Sequence, residues 1–98
     1  MELHFSESNG IVYGKFKGRL DTMAAQNTDI SDFLSNADKK IVFDCSNLEF
    51  ISSAGLRLLL ALFKESRSKG GSITLKSMNP IVMRTFQISG FVNMFSFE

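Results

Sequence analysis

Apolar residues alternate with polar ones in the first part of the chain and recur at helical spacing farther along. Residues 2–7 alternate, and after an Asn-Gly pair the next stretch places Val12 and Phe16 on one side. Strict alternation is typical of strands that bury one face, and Asn-Gly is the strongest short signal for a hairpin turn. The pattern therefore predicts an antiparallel hairpin that is half exposed.

A polar turn then leads into a predicted helix, which Asp21 or Thr22 caps at its start. We expect one continuous helix that ends at residues 36–38. The apolar side chains that share one face of it at helical spacing are Met23, Ile30, Phe33 and Leu34.

A short apolar run at residues 41–45, rich in β-branched side chains, predicts a central strand. We expect a polar loop over residues 46–52 and then a long helix over residues 53–68. The predicted core stripe of that helix consists of Leu56, Leu59, Leu60 and Phe63. Residues 72–76 alternate and predict a further strand.

The last quarter of the chain predicts a third helix and a closing strand. Asn79 before Pro80 is the pattern of a capped helix with proline in its first turn, and Gly90 ends that helix. A short strand follows at residues 94–97. The helix side chains predicted to face inward are Val82, Met83 and Phe86.

Strands that alternate with helices predict an α/β fold, because each helix returns the chain to a parallel neighbouring strand. We predict a single domain over residues 1–98. Its sheet is mixed and mostly parallel, with four to five strands, and the first strand is the antiparallel exception. Since two strands alternate instead of being apolar throughout, we expect the helices to lie mainly on one face of the sheet.

Charge and cysteine content change the expected class of partner. The 11 basic and 10 acidic residues are interspersed, which argues against nucleic acid and against an anionic membrane surface. The single cysteine, Cys45, excludes an internal disulfide and fits a reducing compartment. The first residues do not form a signal peptide, and no apolar run is long enough to span a membrane. We therefore expect a cytoplasmic protein.

The residues that enzymes use are sparse. There is no cysteine or histidine pair to hold zinc and no glycine-rich phosphate loop, so we expect neither a metal nor a cofactor. A nucleophilic Ser53 would need a base, and His4 is the only histidine. An esterase or phosphatase is therefore the weaker class, and a binding protein is the stronger one.

The informative chemistry lies where the predicted central strand ends and the long helix begins. Partners and ligands favour this edge of an open α/β sheet. Ser52 or Ser53 can cap the helix, because its first turn has unpaired N–H groups and the positive end of the dipole. A serine before a helix is ordinarily a structural cap. A phosphate on Ser53 would nevertheless be stabilised there and would change the surface without unfolding the helix.

This segment resembles the STAS domain, and especially the bacterial anti-sigma factor antagonists. The matching elements are an Asp-x-Ser at a strand end (Asp44-Cys45-Ser46), a hydrophobic pair (Phe50-Ile51) and the serine, glycine and leucine that open the helix (Ser53, Gly55, Leu56). Residues 18–21, 79–80 and 89–91 resemble further landmarks of the family in the same order. The resemblance covers nearly the whole chain.

The resemblance implies a protein that binds an anti-sigma factor and so frees a sigma factor for transcription. It implies that the anti-sigma factor is also a serine kinase that phosphorylates Ser53 and abolishes binding, and that a PP2C-type phosphatase removes the mark. The protein itself is then not an enzyme. The residues expected to contact the partner around this serine are Asp21, Ser46, Ser52, Ala54, Gly55 and Arg57.

The sequence departs from the family pattern beside the phosphoacceptor. Ser52 stands where the family has an acid, and Ala54 stands where it has a second serine or threonine. Ser52 could therefore compete with Ser53 as the phosphoacceptor. A second hypothesis stays open, a non-switching scaffold of the same fold in a signalling complex or an accessory subunit of a lipid transporter.

The other departure concerns the last residues. The family usually has a further helix after the last strand, and this sequence stops at Glu98. We expect that helix to be lacking. Exposed apolar side chains at Met94, Phe95 or Phe97 would then favour a homodimer.

Overall fold

The strands of the computed structural model, which describes residues 1–98, form one five-stranded sheet in the order β1-β2-β3-β4-β5. Strand β1 (Glu2–Ser8) pairs antiparallel with β2 (Ile11–Leu20), and every later pair is parallel. The remaining strands are β3 (Lys40–Ile51), β4 (Ser72–Lys76) and β5 (Ser96–Phe97). The predicted mixed, mostly parallel sheet with an antiparallel first strand is therefore confirmed.

Four α-helices connect these strands. They are α1 (Thr22–Asn27), α2 (Ser31–Ser35), α3 (Ser53–Ser68) and α4 (Pro80–Ser89), and a 3₁₀ turn at Phe91–Asn93 follows the last of them. The helices pack on one face of the sheet, here called the covered face, and leave the other, the open face, to solvent. None of the helices has both the length and the apolar character that crossing a membrane requires.

The core lies between the covered face and the helices. Phe43 is at its centre, with its ring centroid 5.0 Å from that of Phe16 on β2 and 5.0 Å from that of Phe33 on α2. Gly14 makes room for this cluster, because a Cβ atom there would lie 2.5 Å from the Phe43 ring. The alternation of β2 therefore buries the side that the sequence predicts.

The prediction of one continuous first helix is wrong, since two short helices, α1 and α2, replace it. Thr28 leaves the helical conformation, and its hydroxyl donates to the Ala24 carbonyl at 2.6 Å. The Asp29 carboxylate then accepts the Ser31 N–H at 2.9 Å. Such side chains compete with the helical backbone for its own partners. Met23, which was expected to face inward, is 72% exposed on α1.

The predicted loop over residues 46–52 is also wrong, because β3 continues to Ile51. Relative to β2, strand β3 has one extra residue after Asp44 and another after Leu48. These bulges absorb polar residues without ending the pairing, and they let Leu48 and Ile51 still reach the core. The strand therefore delivers the chain directly to the start of α3.

The stripe that helix α3 buries is rotated around the helix relative to the predicted one. Leu56 and Leu59 are buried as expected, but Leu62 takes the next core position, while Leu60 and Phe63 are half-buried at its flanks. A helix that lies flat on a sheet buries only the side chains that point directly at the strands.

Ser66 continues this stripe, is 1% exposed and makes no hydrogen bond through its hydroxyl. We expect Ser66→Ala to raise the free energy of unfolding by about 1 kcal/mol, because it removes a desolvated and unpaired polar group. Urea denaturation would measure the change. Ser68→Ala, at an exposed position of the same turn, is the control and should shift stability by less than about 0.5 kcal/mol. A destabilised Ser66→Ala would contradict this reading.

The last strand is shorter than predicted, and the apolar residues around it are mostly covered. Phe95 is buried, with its ring centroid 5.3 Å from that of Phe63 and 5.6 Å from that of Phe86. Phe97 is partly buried and also packs against Phe86. Of the three candidates only Met94 is exposed, to 40% of its surface. The exposure that would favour a homodimer is thus absent at both phenylalanines.

Candidate functional site

Two strand ends and two helix starts meet at the carboxyl edge of the sheet. Leu20, the last residue of β2, lies opposite Ile51, the last residue of β3. The Ser52 N–H donates to the Leu20 carbonyl oxygen at 2.9 Å. This bond holds Ser52, which precedes α3, against Leu20, which precedes Asp21. The two turns singled out in the sequence are therefore direct neighbours.

Each of the two helices has a side-chain cap. The Asp21 carboxylate accepts the Ala24 N–H at 2.9 Å, and the Ser52 hydroxyl oxygen accepts the Gly55 N–H at 3.1 Å. Ser52 is half-buried in this role. Ser53 is exposed, and its hydroxyl makes no hydrogen bond to the protein. The two serines thus differ, since one is occupied by capping and the other is free to react.

Gly55 is buried because α3 approaches β2 closely at its first turn. A Cβ atom at this position would lie 2.8 Å from the Leu20 carbonyl oxygen and 2.9 Å from Cγ1 of Ile51. Any side chain here would push α3 away from the sheet. The glycine at this position therefore permits a close approach between α3 and a neighbouring strand of the same chain.

The remaining predicted contacts separate into two groups. Ala54 is half-buried beside Ser53, and Arg57 is exposed one turn farther along α3 without an ion pair. Ser46 is exposed, but it lies on β3 five residues before Ile51. At the rise of a strand, this places it roughly 15 Å from the end of β3. The structure therefore brings all of the predicted residues except Ser46 to the serine turn.

Ser46 has a local partner instead. Its N–H donates to the Asp44 carboxylate at 3.0 Å. The N–H and hydroxyl of Ser46 lower the pKa of Asp44, and the nearby charges of Lys15 and Lys76 lower it further. Asp44 thus ties down the backbone that follows it.

A depression of about 560 Å³ lies beside the turn that contains Asp21. The exposed Met23 and the Asp21 cap line it, together with Arg19, whose guanidinium lies 4.4 Å from the Phe50 ring centroid. The sequence pattern misses Met23, because its spacing fits the core stripe of a longer helix. The pairing of Arg19 with Phe50 follows only from the register of β2 on β3.

The groups that an enzyme would need do not meet at this edge. Cys45 is buried, and this burial, with the charge of Asp44, raises the pKa of its thiol to about 12. His4 lies on β1 opposite Lys15 and makes no hydrogen bond to Ser53. No three His, Cys, Asp or Glu side chains converge as metal ligands.

Two solved structures of the protein SpoIIAA have a fold similar to that of this chain. The anti-sigma factor antagonist SpoIIAA in its unphosphorylated form superposes with a TM-score of 0.81 at 20% identity, covering 99% of this chain and 88% of that one. Bacillus SpoIIAA in the phosphorylated form gives a TM-score of 0.71 at 22% identity, with 99% and 91% covered. At these identities the similarity establishes the fold.

The sequence itself has related proteins. BtrV of Bordetella bronchiseptica, proposed to be an anti-sigma factor antagonist, is 29% identical over 97 residues, which is 97% of this chain and 84% of BtrV. The sequence model of the STAS domain family matches residues 5–98 of this chain. With the five-stranded sheet and the serine turn at its carboxyl edge, this match shows that the chain belongs to the STAS domain family.

Proposed function

We propose that this protein is an anti-sigma factor antagonist whose binding is controlled by phosphorylation of Ser53. The observation that carries the proposal is the free, exposed hydroxyl of Ser53 at the first position of α3, beside a serine that is already occupied as the cap. The names of its relatives support the general role. SpoIIAA, of similar fold, has both an unphosphorylated and a phosphorylated form.

In the unphosphorylated state the carboxyl edge of the sheet binds the anti-sigma factor and thereby frees a sigma factor in the cytoplasm. Around Ser53 the edge offers an exposed apolar side chain, Met23, and an unpaired cation, Arg57. An apolar anchor beside a charged group is a common composition for a binding hot spot. The protein acts as ligand and substrate, and the chemistry belongs to its partners.

Phosphorylation by the anti-sigma factor, acting as a serine kinase, would reverse the charge of this surface. The first turn of α3 contains no acid, and the N–H groups of Ser53 and Ala54 donate to no protein group. A phosphate on Ser53 would be stabilised by these groups and by the helix dipole. Arg57, four residues along the helix, would then pair with it and no longer be available to the partner. A PP2C-type phosphatase would restore binding.

The proposal is tested by locating the phosphate. The protein is incubated with ATP and its candidate anti-sigma kinase, and the intact mass and the phosphorylated peptide are then determined. We expect one phosphate on the wild type and on Ser52→Ala, and none on Ser53→Ala, because Ser52 uses its oxygen as a helix cap. A phosphate that is still present on Ser53→Ala would show that Ser52 is the acceptor. No phosphate on the wild type, together with no binding to the kinase, would refute the proposal.

The second candidate function is a scaffold of the same fold that does not switch. The observation that favours it is Ser52, which stands where the family has an acid beside the phosphoacceptor. In that case Ser53→Ala would bind its partner as the wild type does, with or without ATP. Copurification of a transporter ATPase in place of a kinase would decide for this alternative.

A further inference from the structure

A further depression lies at the amino edge of the sheet, where α3 ends and β4 begins. Its volume is about 330 Å³, which is at the lower end of the range for small-molecule sites. Phe63, Ile73 and Met94 supply its apolar lining, and Ser66 and Arg67 are among the polar residues that complete it. The depression therefore combines apolar walls with a few polar groups, as small-molecule sites do.

The Ser66 hydroxyl is an unused hydrogen-bonding group in the lining of this depression. Ser66 is 1% exposed, and its hydroxyl oxygen is shielded from water and has no partner in the protein. Such a hydroxyl has lost its hydrogen bonds to water and has gained none in exchange. It would therefore gain a full hydrogen bond from a ligand that offers an acceptor, without first giving up a water molecule.

The backbone N–H of Ile73 is a second unused donor, in a residue that is 4% exposed. The Ser72 N–H points toward β3 and donates to the Lys39 carbonyl oxygen, so the N–H of the next residue points toward β5. Strand β5 begins at Ser96 and pairs with β4 only from Thr74 onward. It starts too late to offer Ile73 an acceptor, and no other group of the protein accepts this N–H. Buried backbone N–H groups without a partner are rare.

The charge of the lining favours an anion. Arg67 is the only charged residue in it, and this side chain is exposed and forms no ion pair. The carbonyl oxygens at the end of α3 do not oppose an anion, because those of Glu65, Ser66 and Arg67 already accept N–H groups from the residues that follow the helix. A carboxylate offers two acceptor oxygens to such donors and pairs well with a guanidinium group.

We propose that this depression binds small apolar carboxylic acids in their ionised form. The carboxylate would accept the Ser66 O–H and the Ile73 N–H, and Arg67 would pair with it. The apolar body of the acid would pack between Phe63 and Met94. Inorganic phosphate matches the site less well, because some of its oxygens would face apolar walls that carry no donor.

This site is separate from the proposed switch. Ser53 opens α3 and Ser66 lies in its last turn, so the length of the helix separates the two by roughly 20 Å. The inference does not rest on the proposed function, and it would hold if Ser53 were never phosphorylated. Ser53→Asp should leave the affinity for the acid unchanged, so failure of this site and failure of the switch are distinguishable.

The test is a titration of the ¹⁵N-labelled protein with phenylacetate, followed by NMR. We expect the amide signals of Gly70, Gly71 and Ile73 to shift, and that of Ile73 to move downfield as its N–H acquires an acceptor. Phenylacetamide has the same shape without the charge and should bind about tenfold more weakly. Acetate lacks the apolar body and should also bind more weakly than phenylacetate.

Two pairs of variants locate the site. Ser66→Ala should weaken phenylacetate binding about tenfold, as expected for the loss of one hydrogen bond to a charged group, although the ligand-free variant is more stable than the wild type. Ser68→Ala, at an exposed position of the same turn, should change neither quantity. Arg67→Gln should weaken binding about fivefold, whereas Arg84→Gln removes the same charge from α4 and should leave the affinity unchanged.

The proposal fails on any of four results. An Ile73 amide signal that stays in place up to the solubility limit of phenylacetate would show that the depression binds no such acid. Equal affinity for phenylacetamide would exclude recognition of the carboxylate. Equal affinity for acetate or for inorganic phosphate would exclude the apolar contacts. Wild-type affinity in both Ser66→Ala and Arg67→Gln would place the bound acid elsewhere on the protein.

Discussion

Gly55→Ala is expected to lower the free energy of unfolding by about 2 kcal/mol. Alanine at an ordinary helical position would stabilise by about 1 kcal/mol relative to glycine, so the sign of the effect is itself diagnostic. The new Cβ would lie 2.8 Å from the Leu20 carbonyl oxygen, a backbone atom that cannot rotate away. That oxygen also accepts the Ser52 N–H, so the junction of β2 with α3 must shift. Thermal unfolding followed by circular dichroism should show a melting temperature about 10 °C lower.

Gly71→Ala is the matched control, because it places a similar clash at the other end of α3. A Cβ atom there would lie 2.1 Å from the Ala37 carbonyl oxygen and 2.7 Å from that of Lys39. We expect a loss of stability at least as large as for Gly55→Ala. Well below both melting temperatures, only Gly55→Ala should also bind the anti-sigma factor more weakly, since only this change moves the serine turn. A raised melting temperature for Gly55→Ala would contradict the close approach.

Ser53→Asp is expected to weaken binding of the anti-sigma factor about 100-fold while leaving the fold intact. The magnitude is that of a central hot-spot residue, whose loss costs roughly 2–4 kcal/mol. The new carboxylate would stand in the first turn of a helix that has no acid there, so its interaction with the dipole should raise stability by about 0.5 kcal/mol. Titration calorimetry would measure binding, and urea denaturation would measure stability.

Ser68→Asp makes the same chemical change at the last residue of α3, which is also exposed. Here the carboxylate meets the negative end of the dipole, so stability should fall slightly while binding stays at the wild-type value. Unchanged binding by Ser53→Asp would contradict a role for its charge at the interface. A collapsed circular dichroism spectrum for Ser53→Asp would instead assign Ser53 a structural role.

Local patterns predicted those elements whose ends depend on neighbouring residues. The Asn9-Gly10 pair adopts left-handed backbone angles at both positions, as a tight hairpin turn between alternating strands requires. The Asn79 side chain accepts the Val82 N–H at 2.8 Å and so caps α4 just before Pro80. In each case the residues that decide the structure lie within four positions of one another.

The errors share a different cause, which is pairing between distant segments. The polar residues after Asp44 look like a loop, yet β3 continues because β2 offers a partner strand and bulges absorb the extra residues. Met23 has the spacing of a core residue, but its helix ends at Asn27 and leaves it exposed. Neither outcome can be inferred from a single segment, since each depends on what the segment packs against.

The sequence by itself determined that this is an α/β chain with its chemistry at two serines before a long helix. Only the tertiary structure decided which serine caps and which is free. Ser52 is held by the Leu20 carbonyl and turned so that its oxygen meets the Gly55 N–H, and Ser53 is thereby left facing solvent. The reason is that the bond from the Ser52 N–H to the Leu20 carbonyl oxygen fixes where β3 ends and α3 begins, and this bond joins residues about thirty positions apart in the chain.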